Sequence, residues 1–129
     1  MTTLHRITAV CFVAVGALLT AFGLFSVLGT VTGGVITLAG LYDGDAATGG
    51  VGALVLVFYA AWMVTCLVGG PLQIGAGIQL LRGRAPGALH WAATLAGLAS
   101  CITVYCAVPG LLVFALGIAT GVASDDAAA

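Results

Sequence analysis

The side chains able to do chemistry are few and widely spaced. Four cysteines occur, Cys11, Cys66, Cys101 and Cys106, with no CxxC pair. A membrane thiol–disulfide oxidoreductase needs such a pair, so that chemistry is not expected. Cys101 and Cys106 are five residues apart and fall on different faces of a helix, and Cys66 could approach Cys101 only across helices. In apolar surroundings a thiol is inert filler. Two histidines, His5 and His90, could in principle ligate haem or a divalent metal from separate helices. His5 lies on the polar leader, however, and no carboxylate in the sequence near either ring would orient it. No metal site and no cofactor is therefore expected, with His5 and His90 the remote exceptions. Gln73 and Gln79 are the amides of the apolar middle. Gln73 shares a helical face with Gly69 and Gly77, which marks it as an interhelical hydrogen-bonding group rather than a solute ligand. Acid–base pairs, metal clusters and activated nucleophiles cannot be assembled, and the chain is read as no enzyme.

The charges explain why. The 129 residues carry three arginines (Arg6, Arg82, Arg84) and four aspartates (Asp43, Asp45, Asp125, Asp126), against 62% hydrophobic residues. Mean hydropathy is +1.26. A soluble domain carries roughly 25% charged residues, so this composition excludes a water-exposed enzyme. It excludes a disordered chain as well, and a nucleic-acid binder would need a basic surface. The expected class is an all-α, polytopic transmembrane helical bundle forming one domain over residues 1–129, with four spans, three being possible.

Four apolar runs can be placed. Residues 7–28 would reach about 33 Å, enough for a hydrocarbon core of about 30 Å. A cleavable signal peptide competes for this run, with Thr37-Leu38-Ala39 as the cleavage site, although signal cores are usually shorter. Gly29 to Gly40, studded with Gly and Thr, reads as a connection, and Tyr42-Asp43-Gly44-Asp45 as a turn. Residues 51–81 form a long second span with a kink expected near Pro71. Arg82-Gly83-Arg84-Ala85-Pro86-Gly87 is a loop. Residues 88–123 are too long for one crossing, and Pro109-Gly110 divides them into spans 88–107 and 109–123; a single kinked helix is the alternative.

With spans 1 and 2 as a hairpin, all three arginines fall on one side. The positive-inside rule makes that side cytoplasmic and puts both termini there, in a multi-pass protein of the cell membrane. Trp91, Tyr42 and Tyr105 fit interfacial belts, while Tyr59 and Trp62 lie deeper as packing bulk. None of the proposed spans holds Asp, Glu, Lys or Arg, so ion-coupled transport lacks its intramembrane ionisable group. Helices in lipid associate through small residues, and Gly69, Gln73, Gly77, Gly117 and Gly121 are the expected packing positions.

Ala76-Gly77-Ile78-Gln79-Leu80-Leu81-Arg82-Gly83-Arg84, followed by Pro109-Gly110 and Ala115-Leu116-Gly117-Ile118, resembles a pattern in small uncharacterised four-span bacterial and archaeal integral membrane proteins. In those the proline and glycine of the last hairpin are separated by one residue, whereas here they are adjacent. The resemblance implies four spans with both termini inside and carries no activity. The expected function is a structural or accessory bundle in the lipid bilayer that associates with itself or with a membrane-complex partner. The alternative is an oligomeric pore or facilitator for a small neutral or anionic solute, using Thr65, Gln73 and Thr103.

Overall fold

The structure, a computed structural model, describes residues 2–101 and 107–128, with side chains through Ser124. The described residues form four α-helices: α1 (Thr3–Asp43), α2 (Ala46–Leu81), α3 (Ala88–Ser100) and α4 (Ala107–Ala128). Three of them, α1, α2 and α4, are long and apolar enough to cross a membrane. Helix α3 has 13 residues and covers about 20 Å, less than a hydrocarbon core of about 30 Å.

The largest departure from expectation lies in α1. Gly29–Gly40, read as a connection, is helical, and α1 runs unbroken for 41 residues. Glycine and threonine are poor helix formers in isolation, so the reason must be tertiary. Ala9, Phe12, Gly16, Leu19, Gly23, Ser26, Thr30, Gly33, Thr37 and Gly40 follow one another at alternating spacings of three and four. In α2 the same spacing links Gly49, Gly52, Leu56, Tyr59, Met63, Cys66, Gly70, Gln73, Gly77 and Leu80. A period of 3.5 residues keeps one stripe facing a partner helix along its whole length and winds the pair into a left-handed coil.

The two stripes meet antiparallel. A Cβ built on Gly33 would reach the Leu56 backbone, one on Gly52 the Thr37 backbone, and one on Gly23 the Cys66 side chain. One on Gly77 would strike the carbonyl of Ala9 and the side chain of Phe12. In this register large residues face small ones, Phe12 against Gly77, Leu67 against Gly23 and Leu56 against Gly33, while Gly16 and Gly70 face each other. Such complementarity brings the backbones together and maximises dispersion contacts, which drive association where lipid is as apolar as the side chains. At the tip, Gly40 faces Gly49 with no side chain between them.

The turn there is short and well capped. Gly44 closes α1 in the left-handed region (φ 70°), where a Cβ would be strained. The Asp45 carboxylate then accepts the amides of Ala47 (3.0 Å) and Thr48 (3.4 Å) at the start of α2. Pro71 sits inside an unbroken α2 and on its exposed side. Its missing N–H deprives one turn of a hydrogen bond, while the seam glycines on either side hold the helix against α1.

Residues 88–123 are two helices, not one. Gly97 packs on Gly110, Thr94 on Gly117 and Trp91 on Gly121, an antiparallel hairpin. Pro109 falls in the first turn of α4, two residues later than the helix start at Ala107. First-turn amides have no intrahelical acceptor, so proline is tolerated there. Thr103, Tyr105 and Cys106 lie outside the described residues. The α3–α4 hairpin covers the end of α1–α2 that holds the start of α1 and the end of α2, through Thr8–Thr120, Ala96–Gly69 and Leu89–Gly75 contacts. The other end of α1–α2 is a bare hairpin. Thr37-Leu38-Ala39, the alternative cleavage site, lies inside it, with Thr37 packed on Gly52.

Candidate functional site: a polar layer at the covered end of the bundle

Where four helices meet, the core is not uniformly apolar. Thr8, Gln73, His90, Thr94 and Thr120 are all buried there to 2% exposure or less. Each helix contributes at least one of them, and Phe12 lies in their midst. The ring of His90 stacks on Phe12 at a centroid distance of 5.4 Å. Its Nε2 lies 2.8 Å from the carbonyl oxygen of Gly117. A carbonyl can only accept, so Nε2 carries the proton and ties α3 to α4. The Thr94 hydroxyl donates to the carbonyl of His90 one turn back (2.9 Å). Thr8 and Thr120 join α1 to α4 through a 2.6 Å hydroxyl–hydroxyl bond.

Gln73 is the exception. It lies in the α1–α2 seam between Gly70 and Gly77, as its spacing predicts, but neither amide atom has a hydrogen-bond partner. The expected interhelical bond is thus not formed to any described residue. His90 Nδ1 is similarly enclosed without a partner. Above this layer the core is mainly apolar, through Val15, Leu19, Cys66 and Val113 with Phe22 and Trp62 against it, and the buried Ser26 and Ser100 hydroxyls donate to carbonyls of their own helices.

The remaining expected residues separate. His5 is half-buried at the start of α1 and bonds through Nδ1 to the Thr2 hydroxyl. His90 is committed to Gly117 and Phe12 inside the bundle, so the two rings have different partners. Among the described residues no group of three His, Cys, Asp or Glu side chains is placed to hold a metal ion. Cys101, at the end of α3, points its thiol at the Gly97 carbonyl (3.4 Å), while Cys66 faces Gly23 in the other seam. Thr65 is bonded to its own helix at Ala61 (2.9 Å). It lines an apolar outer groove with Leu54, Val57, Phe58, Trp62 and Ala99, away from the polar layer. Of the packing positions, Gly69 meets Ala96, Gly77 meets Ala9, Gly117 lies under Thr94 and Gly121 under Trp91. The Thr8–Thr120 pair was not anticipated. Its only sequence signal is a hydroxyl in the first two turns of α1 and another near the end of α4, at positions that face each other only once the topology is known.

A second polar zone lies one turn outward. A cavity of about 330 Å³ opens between the start of α1, the α2–α3 loop and the end of α4, with His5, Arg84 and Ser124 in its wall and Leu80 as its floor. Arg6, Arg82 and Arg84 all stand at this end of the molecule, because α1 begins where α2 ends. No protein-family model, curated protein or solved structure matches the chain.

Proposed function

We propose that this is an integral protein of the cell membrane that works through helix–helix association, as a self-associating bundle or an accessory subunit, with both termini in the cytoplasm. The observation that carries this reading is a mismatch of lengths. Thr32, whose hydroxyl is bonded to the Leu28 carbonyl, is the one polar residue among the exposed positions of α1 from Ile7 to Leu41, a length of about 52 Å at about 1.5 Å per residue. At an average tilt of about 20° this projects to about 49 Å, more than the about 40–45 Å of a whole bilayer with its headgroups.

The aromatic side chains indicate where the bilayer lies. Trp91 sits on Gly121, level with the Thr8–Thr120 pair, and Tyr59 sits on Gly29. Along α1 those levels are about 31 Å apart, the thickness of a hydrocarbon core. Tryptophan and tyrosine favour both of its edges. Tyr59, which the sequence reads as packing bulk, thereby takes the outer-belt place assigned to Tyr42. The bare hairpin beyond Tyr59 extends about 18 Å further. There Val31, Val35, Leu38, Leu41, Leu54 and Val57 are 60–74% exposed in the single chain. An apolar surface of that extent outside a bilayer demands a protein partner. A second copy of the same hairpin supplies a matching face.

Cysteine-free protein carrying Leu38→Cys, reconstituted in lipid nanodiscs and oxidised, tests this. Disulfide-linked dimers are expected. A strictly monomeric protein that forms no crosslink there and binds no defined membrane partner would overturn the proposal. The pore reading draws on Gln73 and His90 Nδ1, but the buried hydroxyls further along, Ser26 and Ser100, bond to carbonyls of their own helices, among the apolar side chains of Val15, Leu19, Cys66 and Val113. Flux of small neutral solutes into liposomes would revive it.

A further inference from the structure

We propose that the cavity between the start of α1, the α2–α3 loop and the end of α4 holds the phosphodiester of one anionic lipid headgroup. Three observations converge on it. The first is depth. Ser124 lies one turn beyond Thr120, and His5 one turn beyond Thr8, on the side of Trp91 that faces away from the hydrophobic core. A cavity of about 330 Å³ at that level sits among headgroups, not among acyl chains.

The second is charge. All three arginines of the chain are at this end; Arg84 lines the cavity, and Arg6 and Arg82 flank it. None of them forms an ion pair with a described residue. Asp125 and Asp126 follow Ser124 in the sequence, so the formal side-chain surplus here is one positive charge. That matches the single negative charge of a phosphodiester better than the roughly two of a phosphomonoester.

The third is the lining. The His5 ring, held through Nδ1 by the Thr2 hydroxyl, presents its other nitrogen beside the arginine, the Ser124 hydroxyl being spent on the Gly121 carbonyl (2.7 Å), while Leu80, Pro86 and Ala123 form an apolar side. A phosphate bonded to Arg84 has the His5 ring beside it, and the glycerol and first acyl carbons can lie on the apolar side. The loop that carries Arg84 is held by the Gly83 turn, with Gly83 at φ 73° and the Arg84 amide on the carbonyl of Gln79 (3.1 Å). Arginine is therefore presented from a formed loop.

Native mass spectrometry of the whole protein, released from nanodiscs of mixed phosphatidylglycerol and phosphatidylcholine, reads this directly. One retained phosphatidylglycerol per chain is expected, in at least fivefold excess over phosphatidylcholine. Arg84→Gln is expected to remove that preference, and Arg82→Gln, outside the cavity, to leave it. Equal retention of the two lipids would overturn the proposal. So would an equal loss in both variants, which would show a diffuse surface attraction. Adduction of added inorganic phosphate with no lipid preference would assign the cavity to a soluble anion and would overturn it as well. The readout is independent of oligomeric state, so it can fail while the association reading stands.

Discussion

Gly33 and Gly34 are neighbours in α1, in the stretch that the sequence presents as a connection, and the structure predicts opposite outcomes for them. A Cβ on Gly33 would stand 2.5 Å from the amide nitrogen of Leu56 and 2.8 Å from its Cα. Both are backbone atoms of α2 and have no rotamer to change. Restoring contact distance requires α1 and α2 to part by on the order of 1 Å, which forfeits a quarter to a half of each nearby dispersion contact. A Cβ on Gly34 would meet only Cδ1 of Leu56, at 3.9 Å, an ordinary contact. Alanine gains about 0.8–1 kcal/mol of helix propensity at either position, so that contribution cancels in the comparison. The overpacking cost remains, about 1–3 kcal/mol. Gly33→Ala is therefore expected to be less stable than Gly34→Ala by about 1–3 kcal/mol, with Gly34→Ala at or above the parent. Steric-trap unfolding in bicelles measures the difference. Equal effects of the two substitutions would refute a helical, packed Gly29–Gly40 segment, because a connection has no face to distinguish the two residues.

Three further outcomes follow from the same geometry. Gln73→Met keeps the side-chain volume while removing two buried, unpartnered polar atoms, and is expected to raise unfolding stability by about 1–3 kcal/mol; a loss would show that the amide is bonded. A double-mutant cycle of Thr8→Val with Thr120→Val should give a coupling of about 0.6–1.7 kcal/mol for the α1–α4 hydroxyl pair, and additive effects would deny the contact. The Asp45 carboxyl is held below the usual carboxylate range by the Thr48 hydroxyl, then by the amides of Thr48 and Ala47. A lowered folded value means the cap contributes fully above the unfolded carboxyl's pKa and is lost as pH falls through the folded one. Protection of the Ala47 and Thr48 amides, taken relative to their intrinsic exchange at each pH, should thus hold at neutral pH and be lost only on strong acidification. Asp45→Ala should leave them unprotected throughout.

The all-helical architecture, with three helices long and apolar enough to cross a membrane, was legible because charge is sparse. Seven charged residues, in loops or in the end turns of α1 and α4, leave the helix interiors apolar and put the arginines at one end. The turns were legible too, since Gly44-Asp45 and Arg82-Gly83 use residues whose backbone and capping chemistry is local. The extent of α1 was not. Hydrophobic residues surround every helix here, so apolar periodicity carries almost no sidedness, and Gly29, Gly33, Gly34 and Gly40 lower local propensity. What holds that segment in a helix is the facing stripe of α2, at positions such as Gly49, Gly52 and Leu56. The signal that could reveal it is the alternating three–four spacing of small residues in both helices, not their hydropathy. The polar layer was half legible: Gln73 stands in its expected seam, but the sequence holds no sign that His90 is enclosed. Its burial depends on α4 folding back so that Gly117 presents a carbonyl to it.

On the association reading, the bare end of the α1–α2 hairpin is covered by protein. A nitroxide on Leu38→Cys, in cysteine-free protein reconstituted in bilayers, reports its surroundings by power saturation. Low collision rates are expected with both oxygen, which concentrates in lipid, and a water-soluble nickel chelate. High oxygen accessibility would place Leu38 in acyl chains, high nickel accessibility would place it in water, and either would contradict the association reading.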